Sequence, residues 1–279
     1  MIITVDGINA HQFQDLLKKT YRLRAKVFKD RLGWDVQVRD GLEYDNFDDL
    51  NPTTLISVDD EGYVVGCIRI LQTTGPNMLA DVFSSILQGE PAPRSPLIWE
   101  ATRFCVDTER LVGSARAKNS ISYVTSEVMV AACEYAMAAG VKDAIAVIDP
   151  IMNRVMKRSA NAPYDYLGKA TPMGKVTAMA ALLDCSPQRR DGLRAFAGIE
   201  GDVFMPEDQA LQRFGDNMRV LRAANCNGHP IDALRRYCAE QLRDASDANE
   251  VRAALRLIAE IENSADIPLS AEAITHASA

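Results

Sequence analysis

Arginines and acids recur through the first 105 residues, at the predicted ends of helices and strands. The acids are densest in GLEYDNFDD, residues 41–49, where four carboxylates and two aromatic side chains occupy nine positions. One interpretation is a set of ion pairs that ties the N-terminal region to a sheet. Because a surface salt bridge contributes only about 0–1 kcal/mol, stability alone explains such repeated pairing poorly. The residues concerned are Arg24, Asp45, Asp48, Arg69, Glu100 and Arg103.

Aromatic side chains accompany the first of these arginines. Arg24 and Phe28 are four residues apart, so they share one face of a predicted helix. Trp34 follows just beyond the end of that helix. The sequence therefore predicts an exposed arginine flanked by aromatic rings, next to the acidic segment.

The elements that position these residues follow from periodicity and turn residues. Apolar residues at three- and four-residue spacing predict a helix over residues 10–32 that ends at Gly33. The run 53–74 predicts a β-hairpin that turns at Asp-Asp-Glu-Gly. Further helices are predicted over 78–87, over 119–139 and after Asp149-Pro150. Further strands are predicted over 97–107, 143–149, 162–170 and 175–184, with a turn at residues 172–174 between the last two.

These elements predict an α/β (α+β) fold, in which helices flank one mixed sheet. Beyond about residue 215 the composition changes. The segments 230–245 and 248–265 are alanine-rich and carry interspersed charges, which is typical of paired helices. We therefore predict a core of residues 1–215 and a helical C-terminal extension of residues 216–279.

Composition limits the class of protein. The net charge of −7 argues against nucleic acid as a partner. The six cysteines are widely spaced and the three histidines lie far apart, so we expect reduced thiols and no structural metal. The N-terminus has no basic and apolar leader, and no apolar run reaches the roughly 18 residues of a membrane helix. We expect a cytoplasmic protein without a membrane span.

Short motifs in the first 105 residues resemble those of a known family. In chain order they are R-x-x-x-F at Arg24, G-W at Gly33, E-x-D-x-F-D at Glu43, G-x-x-R at Gly66, MLADVF at Met78 and W-E-x-[ST]-R-F at Trp99. Their order and spacing closely resemble the acyl-homoserine lactone synthases, the LuxI-type makers of quorum-sensing autoinducers. The resemblance continues more weakly to about residue 200, and the last 60 or so residues exceed the usual family length.

This resemblance implies a fold related to the GCN5-type N-acetyltransferases and a synthase domain over residues 1–215. It also implies S-adenosylmethionine and an acyl thioester as substrates, with no permanently bound cofactor. The methionine amine attacks the thioester, and the methionine carboxylate then displaces methylthioadenosine to close the lactone. Carried over by motif position, the signature residues are Arg24, Phe28, Trp34, Asp45, Asp48, Arg69, Phe83, Glu100 and Arg103.

The family chemistry gives these residues expected roles. A substrate with a sulfonium and an ammonium needs carboxylates and an aromatic face, which Asp45, Asp48 and Trp34 supply. The substrate carboxylate needs an arginine, for which Arg24, Arg69 and Arg103 stay open. Glu100 is expected to accept the amine proton, with Arg103 as its catalytic neighbour. Because side chains alternate along a strand, Glu100 and Arg103 can serve one site only if a β-bulge lies between or beside them.

The resemblance also points to an acyl-chain pocket at Thr102, Phe104 and Ile148. Ile148 falls where many members carry Thr or Ser. Its lack of a hydroxyl removes a hydrogen-bond partner for a 3-oxo group, which favours an unsubstituted acyl chain.

Two features bear on the acyl donor. RLVGSA, with Arg110, Gly113 and Ala115, fits the pyrophosphate loop of acetyl-coenzyme A enzymes. Arg154, Lys157 and Arg158 form a basic helix face on an acidic protein, which suits acyl carrier protein or is only a solvated face. The sequence favours the carrier protein and leaves coenzyme A open.

Two further functions stay open. A plain N-acetyltransferase would explain the fold and RLVGSA, but not Trp34, Asp45 and Asp48 together. A catalytically silent binding protein would explain the C-terminal extension, but Arg69, Glu100 and Arg103 count against it.

Overall fold

The computed structural model describes residues 1–112, 120–173 and 176–216, together with residues 242–243, 251–252 and 255. The chain divides into two units, Met1–Gly215 and Asp216–Ala279. The helical hairpin predicted for the second unit lies almost entirely outside the described residues. Within the described part of the chain, no helix is long and apolar enough to cross a membrane.

Strands make up the centre of the first unit. In chain order they are β1 (Ile2–Val5), β2 (Val38–Arg39), β3 (Leu42–Glu43), β4 (Thr53–Val58), β5 (Val64–Gln72), β6 (Ile98–Val106), β7 (Asp143–Ile148), β8 (Asp165–Met173) and β9 (Val176–Asp184). The two short strands β2 and β3 form a separate hairpin, and the other seven form one sheet in the order β1-β4-β5-β6-β7-β9-β8.

Helices cover this sheet. They are α1 (Gln14–Arg24), α2 (Met78–Asp81), α3 (Thr108–Leu111), α4 (Ile121–Ala138), α5 (Pro150–Arg158), α6 (Pro187–Ala197) and α7 (Glu207–Phe214). A π-helical segment, Ala25–Arg31, continues α1. Short 3-10 turns include Asp48–Leu50 and Ser84–Leu87.

The two faces of the sheet bury different helices. Ile70 packs in an apolar cluster with Val128 and Ala131 of α4, whereas its neighbour Leu71 packs with Met78 and Leu79 of α2. This alternation places α4 on one face and α2 on the other. The predicted α/β (α+β) fold, a mixed sheet flanked by helices, is confirmed.

Strand pairing changes sense at the centre of the sheet. Strands β5 and β6 are antiparallel, while β6 and β7 are parallel. The pairs between β6 and β7 run only from Ile98 to Ala101 of β6. In the described residues, the two strands therefore separate beyond Ala101, and β6 continues to Val106 beside an opening in the sheet.

Two details differ from the prediction, the type of the first helix and the end of β8. The first helix keeps α-helical geometry only to Arg24 and is π-helical from Ala25 to Arg31, which apolar spacing alone does not reveal. Pro172 and Met173, expected in a turn, belong to β8. Strand β8 lies at the edge of the sheet, where a proline needs no N–H partner.

Candidate active site

Six charged side chains from four parts of the chain meet on the α1 side of the sheet. Arg24 is the last residue of α1, Arg69 lies in β5 and Arg103 lies in β6. The β2–β3 hairpin and the turn after it supply the acids. We call the set formed by Arg24, Glu43, Arg103, Asp45, Arg69 and Asp48 the charge ring, because each member contacts two members of opposite sign.

Arg24 joins two of the acids. Its Nη1 and Nη2 donate to Asp48 Oδ1 and Oδ2, both at 2.8 Å, in a bidentate pair. Its Nε donates to Glu43 Oε2 at 2.5 Å. The expectation of an exposed arginine is wrong, since the Arg24 side chain is only 1% exposed. The hairpin folds its acids back over the end of α1 and so removes Arg24 from solvent.

Arg69 and Arg103 complete the charge ring. Arg69 holds Asp45 through two hydrogen bonds of 2.6 and 3.0 Å and contacts Asp48 Oδ1 at 2.8 Å. Arg103 Nε donates to Glu43 Oε1 at 3.0 Å, and Arg103 Nη2 donates to Asp45 Oδ2 at 2.5 Å. All three arginines are therefore paired with protein carboxylates in this structure.

Burial separates the members of the charge ring into two groups. The side chains of Asp45 and Arg103 are 17% and 10% exposed. The other four members are at most 1% exposed. Burial alone would raise the pKa of Asp48, but hydrogen bonds from Arg24 and the charges of Arg24 and Arg69 lower it to about 2. Asp48 is thus an ionised internal support, and Asp45 is the acid that solvent reaches.

The β-bulge predicted beside Glu100 and Arg103 is present. The register between β5 and β6 shifts between the pair Cys67–Cys105 and the pair Arg69–Thr102, so two residues of β6 oppose one of β5. Arg103 has a φ of 53°. A non-glycine residue in this left-handed region is uncommon and needs support from its surroundings. The bulge turns Arg103 toward the face that Glu100 and Thr102 occupy, where the charge ring holds it.

Glu100 belongs to β6, and its side chain lies against the first residues of α2. Its two carboxylate oxygens accept hydrogen bonds of 2.7 Å from the backbone N–H groups of Met78 and Leu79. Burial raises the pKa of Glu100 to about 7, although these two donors and Arg69 oppose the rise. Met78 also connects Glu100 to the charge ring, since its Sδ lies 3.3 Å from Arg69 Nη2 and 3.2 Å from Arg103 Nη1.

Three aromatic side chains form a wall next to the charge ring. Trp34 packs edge-to-face against Phe28 and Phe83, with centroid distances of 6.0 and 6.5 Å. The Arg103 guanidinium lies 5.6 Å from the centroid of the Phe28 ring. The Trp34 indole N–H is buried without a hydrogen-bond partner among the described residues. A buried donor of this kind needs an acceptor, so it marks a position where a ligand atom would be stabilised.

Glu43 is a site residue that the sequence interpretation missed. It is fully buried and holds both Arg24 and Arg103. The signal was available, because Glu43 opens the E-x-D-x-F-D motif, but only the two aspartates were singled out. Phe47 of the same motif lies under Arg69, 5.6 Å from ring centroid to guanidinium carbon.

The three residues expected to line an acyl pocket lie on different faces of the sheet. The Thr102 hydroxyl accepts a hydrogen bond of 3.0 Å from Arg69 Nε, beside the charge ring. Phe104 and Ile148 instead pack in the apolar cluster that contains Val128 of α4. Their common pocket stays a prediction.

The two features that bear on the acyl donor, the Arg110 loop and the basic face of α5, have different surroundings. Arg110 Nε and Nη2 donate to Asp59 at 2.7 Å and to Glu61 at 2.8 Å, and its guanidinium lies 3.7 Å from the Tyr63 ring centroid. Gly113 and Ala115 lie outside the described residues. Arg154, Lys157 and Arg158 are exposed on α5.

Comparisons with known proteins agree with this geometry. A family model described as Autoinducer synthase matches residues 9–193. An acyl-homoserine-lactone synthase of Agrobacterium fabrum is 36% identical over 183 residues, which cover 65% of this chain and 85% of that protein. One from Pseudomonas aeruginosa is 38% identical over 146 residues, covering 52% of this chain and 70% of that protein.

Solved structures give the same assignment. The crystal structure of the synthase LasI aligns with a TM-score of 0.61 at 30% identity, covering 72% of this chain and 98% of LasI. The coenzyme A-dependent synthase BjaI, solved with S-adenosylmethionine and isopentyl-CoA, aligns with a TM-score of 0.64 at 26% identity, covering 76% of this chain and 97% of BjaI. The chain belongs to the autoinducer synthase family and is an acyltransferase-type enzyme.

Proposed function

We propose that this enzyme makes an acyl-homoserine lactone signal from S-adenosylmethionine and an acyl chain carried as a thioester on acyl carrier protein. Family membership supports the product class. The use of S-adenosylmethionine is supported by BjaI, which binds that compound and has the same fold at 26% identity.

The proposed reaction has two steps. The amine of S-adenosylmethionine attacks the thioester carbonyl, so that an amide C–N bond forms, the C–S bond breaks and the thiol leaves. The carboxylate of the same substrate then attacks the methylene beside the sulfonium. A C–O bond closes the lactone, and the broken C–S bond leaves its electron pair on sulfur as neutral methylthioadenosine.

The observation that carries this proposal is the placement of Glu100. The amine can attack only after losing a proton, and a general base works best when its pKa lies near the working pH. Burial gives Glu100 a pKa of about 7. Met78 contacts Glu100 with its backbone N–H and contacts Arg69 and Arg103 with its sulfur, so a single residue separates the base from the charge ring.

The opening between β6 and β7 suits the arm of the thioester. Beyond Ala101, β6 pairs with β5 on one side and, among the described residues, has no pair with β7 on the other. Backbone groups exposed along such a strand can hydrogen-bond the amides of a phosphopantetheine arm, as in strand addition by a peptide. The arm would then deliver its thioester past Arg103 toward Glu100.

The preference for acyl carrier protein rests on the two basic features. Asp59 and Glu61 already neutralise Arg110, which weakens it as a ligand for the pyrophosphate of coenzyme A. On α5, Arg154 and Arg158 are exposed, and Ile151, on the same helix face, is 60% exposed. An exposed apolar residue beside arginines fits an acidic protein partner better than a small nucleotide.

Coenzyme A is the second candidate donor, because BjaI is a coenzyme A-dependent synthase of this fold. For the acyl chain itself we propose an unsubstituted chain. Ile148 and Phe104 offer only carbon atoms, and the Thr102 hydroxyl is already engaged by Arg69.

The experiment supplies purified enzyme with S-adenosylmethionine and one saturated acyl chain, loaded either on acyl carrier protein or on coenzyme A. Products are identified by mass spectrometry, and kcat/KM is measured for each donor. The proposal expects the N-acylhomoserine lactone and methylthioadenosine in equal amounts, with the carrier-bound donor preferred. Transfer of the acyl chain to an amine without methylthioadenosine would indicate a plain N-acyltransferase instead.

A further inference from the structure

The first turn of α2 is shared between Glu100 and an asparagine. Backbone N–H groups at the start of a helix have no partner within the helix. Those of Met78 and Leu79 donate to the two carboxylate oxygens of Glu100, both at 2.7 Å. The next one, that of Ala80, donates to Oδ1 of Asn77 at 3.1 Å, so Asn77 is the N-cap of α2.

Asn77 also joins α2 to the segment that follows β5. Its Nδ2 donates to the carbonyl oxygens of Thr73 at 3.3 Å and of Gly75 at 3.0 Å. Asn77 is only 1% exposed. Because the oxygen and the nitrogen of its amide are both engaged, rotation of this side chain would leave buried polar atoms without partners. The cap is therefore held in one orientation.

Thr73 continues this connection to β6. Its hydroxyl oxygen lies 2.9 Å from the Ser95 carbonyl oxygen and 2.7 Å from the Ile98 carbonyl oxygen, and it accepts the Ser95 N–H at 3.1 Å. Ile98 is two residues before Glu100 in β6. A closed path of hydrogen bonds thus runs from β6 through Thr73, Asn77 and α2 back to Glu100.

Helix α2 has only four residues. Isolated helices shorter than about 12 residues are marginal in water, so the cap and the tertiary contacts must hold its first turn. We infer that Asn77 is a positioning residue for Glu100, because it caps α2 and so keeps the N–H groups of Met78 and Leu79 on the carboxylate. Its effect on Glu100 passes through α2. This inference rests on the proposed function, in which Glu100 is the general base.

The two N–H groups affect the protonation of Glu100. Burial raises its pKa to about 7, while the N–H donors and the charge of Arg69 in β5 lower it and the charge of Asp81 in α2 raises it. Arg103 of β6 reaches the sulfur of Met78 on the same side. If α2 moves away, burial persists and both donors are lost, so the pKa of Glu100 rises further.

The test measures the pH dependence of kcat/KM in Asn77→Ala, with the acyl thioester that the wild-type enzyme uses. We expect the midpoint of the rise in kcat/KM to move upward by about one pH unit or more, because hydrogen bonds to an ionised group are strong. At pH 7 kcat/KM should fall about fivefold or more, and above about pH 9 it should return to within about twofold of the wild-type value. A loss of the same size at every pH would overturn the inference, since it would show that Asn77 supports only the fold.

A conservative variant at the same position tests the cap itself. In Asn77→Ser the hydroxyl oxygen can still accept the Ala80 N–H, although the bonds to Thr73 and Gly75 are lost. We expect the midpoint in this variant to stay close to that of the wild-type enzyme. A midpoint as high as that of Asn77→Ala would contradict the role of the cap.

The matched control is Asn9→Ala, at another buried asparagine. Asn9 Oδ1 accepts the Asp6 N–H at 3.0 Å, and its Nδ2 donates to the Thr4 carbonyl oxygen at 3.2 Å, beside β1. This variant loses bonds of the same kind far along the chain from Glu100. It should lower the free energy of unfolding and leave the midpoint unchanged, and an equal shift in both alanine variants would overturn the inference.

The free energy of unfolding gives a second measurement that needs no substrate. Because the folded pKa of Glu100 is raised from 4.5, the stability it contributes is present below pH 4.5 and is lost as pH rises through the folded pKa. This loss should continue to higher pH in Asn77→Ala than in the wild-type enzyme, and identical profiles would overturn the inference. If the wild-type enzyme forms no lactone from either thioester, the proposed function is wrong, and the unfolding profiles still decide whether Asn77 positions Glu100.

Discussion

Arg24 and Asp48 are joined by two parallel hydrogen bonds, each 2.8 Å long, and neither side chain is more than 1% exposed. A pair so deeply buried serves the fold first. It fixes the end of α1 against the turn that carries Asp45. The position of Asp45, the acid of the charge ring that solvent reaches, therefore depends on residues that are themselves buried.

Removing Arg24 should destabilise the whole enzyme. In Arg24→Met, Glu43 and Asp48 each lose one of two cationic partners while remaining buried. We expect a loss of about 3–5 kcal/mol in the free energy of unfolding, measured by urea denaturation. The control is Arg22→Met, two residues earlier on the same helix and exposed, which should change stability by about 0.5 kcal/mol or less. Similar losses in both variants would show that the charge ring does not support α1.

The charge ring should also determine how the free energy of unfolding falls at acidic pH. The pKa of Asp48 is lowered from 3.8 to about 2 in the folded protein. Because a lowered pKa stabilises the folded state above the unfolded-state value, this contribution is complete above about pH 4 and is lost as pH falls toward 2. It amounts to about 2 kcal/mol. Asp48→Asn should flatten the stability profile in this window, and an unchanged slope would assign acid unfolding to other groups.

Glu100 should give activity and stability opposite pH dependences. Its folded pKa is raised from 4.5 to about 7, so the stability it contributes is present below pH 4.5 and is lost as pH rises to 7. Activity should rise over the same range as the base becomes ionised. Glu100→Gln should lower kcat/KM by about 10²- to 10⁴-fold and remove the limb near pH 7.

A second buried glutamate provides the control for Glu100. Glu127 lies on α4 and accepts a hydrogen bond from Ser57 at 2.7 Å. Glu127→Gln should lower the free energy of unfolding, but activity should still rise with pH near 7. In Glu100→Gln the new amide has a single acceptor oxygen for two backbone N–H groups, so both variants are assayed below their unfolding temperatures. Near-full turnover in Glu100→Gln would remove this residue from the mechanism.

Much of the fold could be predicted because local patterns and tertiary packing agree. The β4–β5 hairpin has β-rich runs on both sides of an Asp-Asp-Glu-Gly turn, and it forms as predicted. Strand β1 was missed, since four residues are too few to show a period and three of them are fully buried or nearly so. Helices α6 and α7 were also missed, although Ser186 and Pro187 give α6 a typical N-terminal cap.

Most residues of the charge ring could be predicted from the sequence, but their contacts with one another could not. Motif order identified five of the six charge-ring members, and alternation along β6 required the bulge at Arg103. The pattern could not show that Arg24 and Asp48 are buried, because burial depends on how the β2–β3 hairpin folds back over α1. For the same reason Asp45 and Asp48, three residues apart and chemically identical, could not be assigned different roles.

Gly168 should be needed to keep the aromatic wall in place. It has a φ of 62°, and a Cβ there would lie 2.0 Å from the Ile86 carbonyl oxygen in the turn that follows Phe83. Gly168→Ala must therefore displace this turn and weaken the contact between Phe83 and Trp34. The control is Gly198→Ala, at a φ of 66° with nothing within 4 Å of the added Cβ. It should lower the free energy of unfolding by only about 1–2 kcal/mol, the cost of holding alanine in the left-handed conformation. We expect Gly168→Ala alone to raise the KM for S-adenosylmethionine, and equal KM values in both variants would contradict the link to the site.

Charge reversal on α5 should separate the two acyl donors. Arg154→Glu/Arg158→Glu places two acids on the exposed helix face that we assign to the carrier protein. The double variant should raise the KM for acyl carrier protein by about 10-fold or more, with a loss that depends on salt, because exposed charges act through long-range attraction.

The matched control is Lys18→Glu/Arg22→Glu, an exposed pair with the same four-residue spacing on α1 and the same change in net charge. It should leave the carrier KM within about twofold, and neither variant should alter the KM for acyl-coenzyme A by more than that. Equal effects of the two double variants would show that net charge governs carrier binding and that α5 is not the docking face.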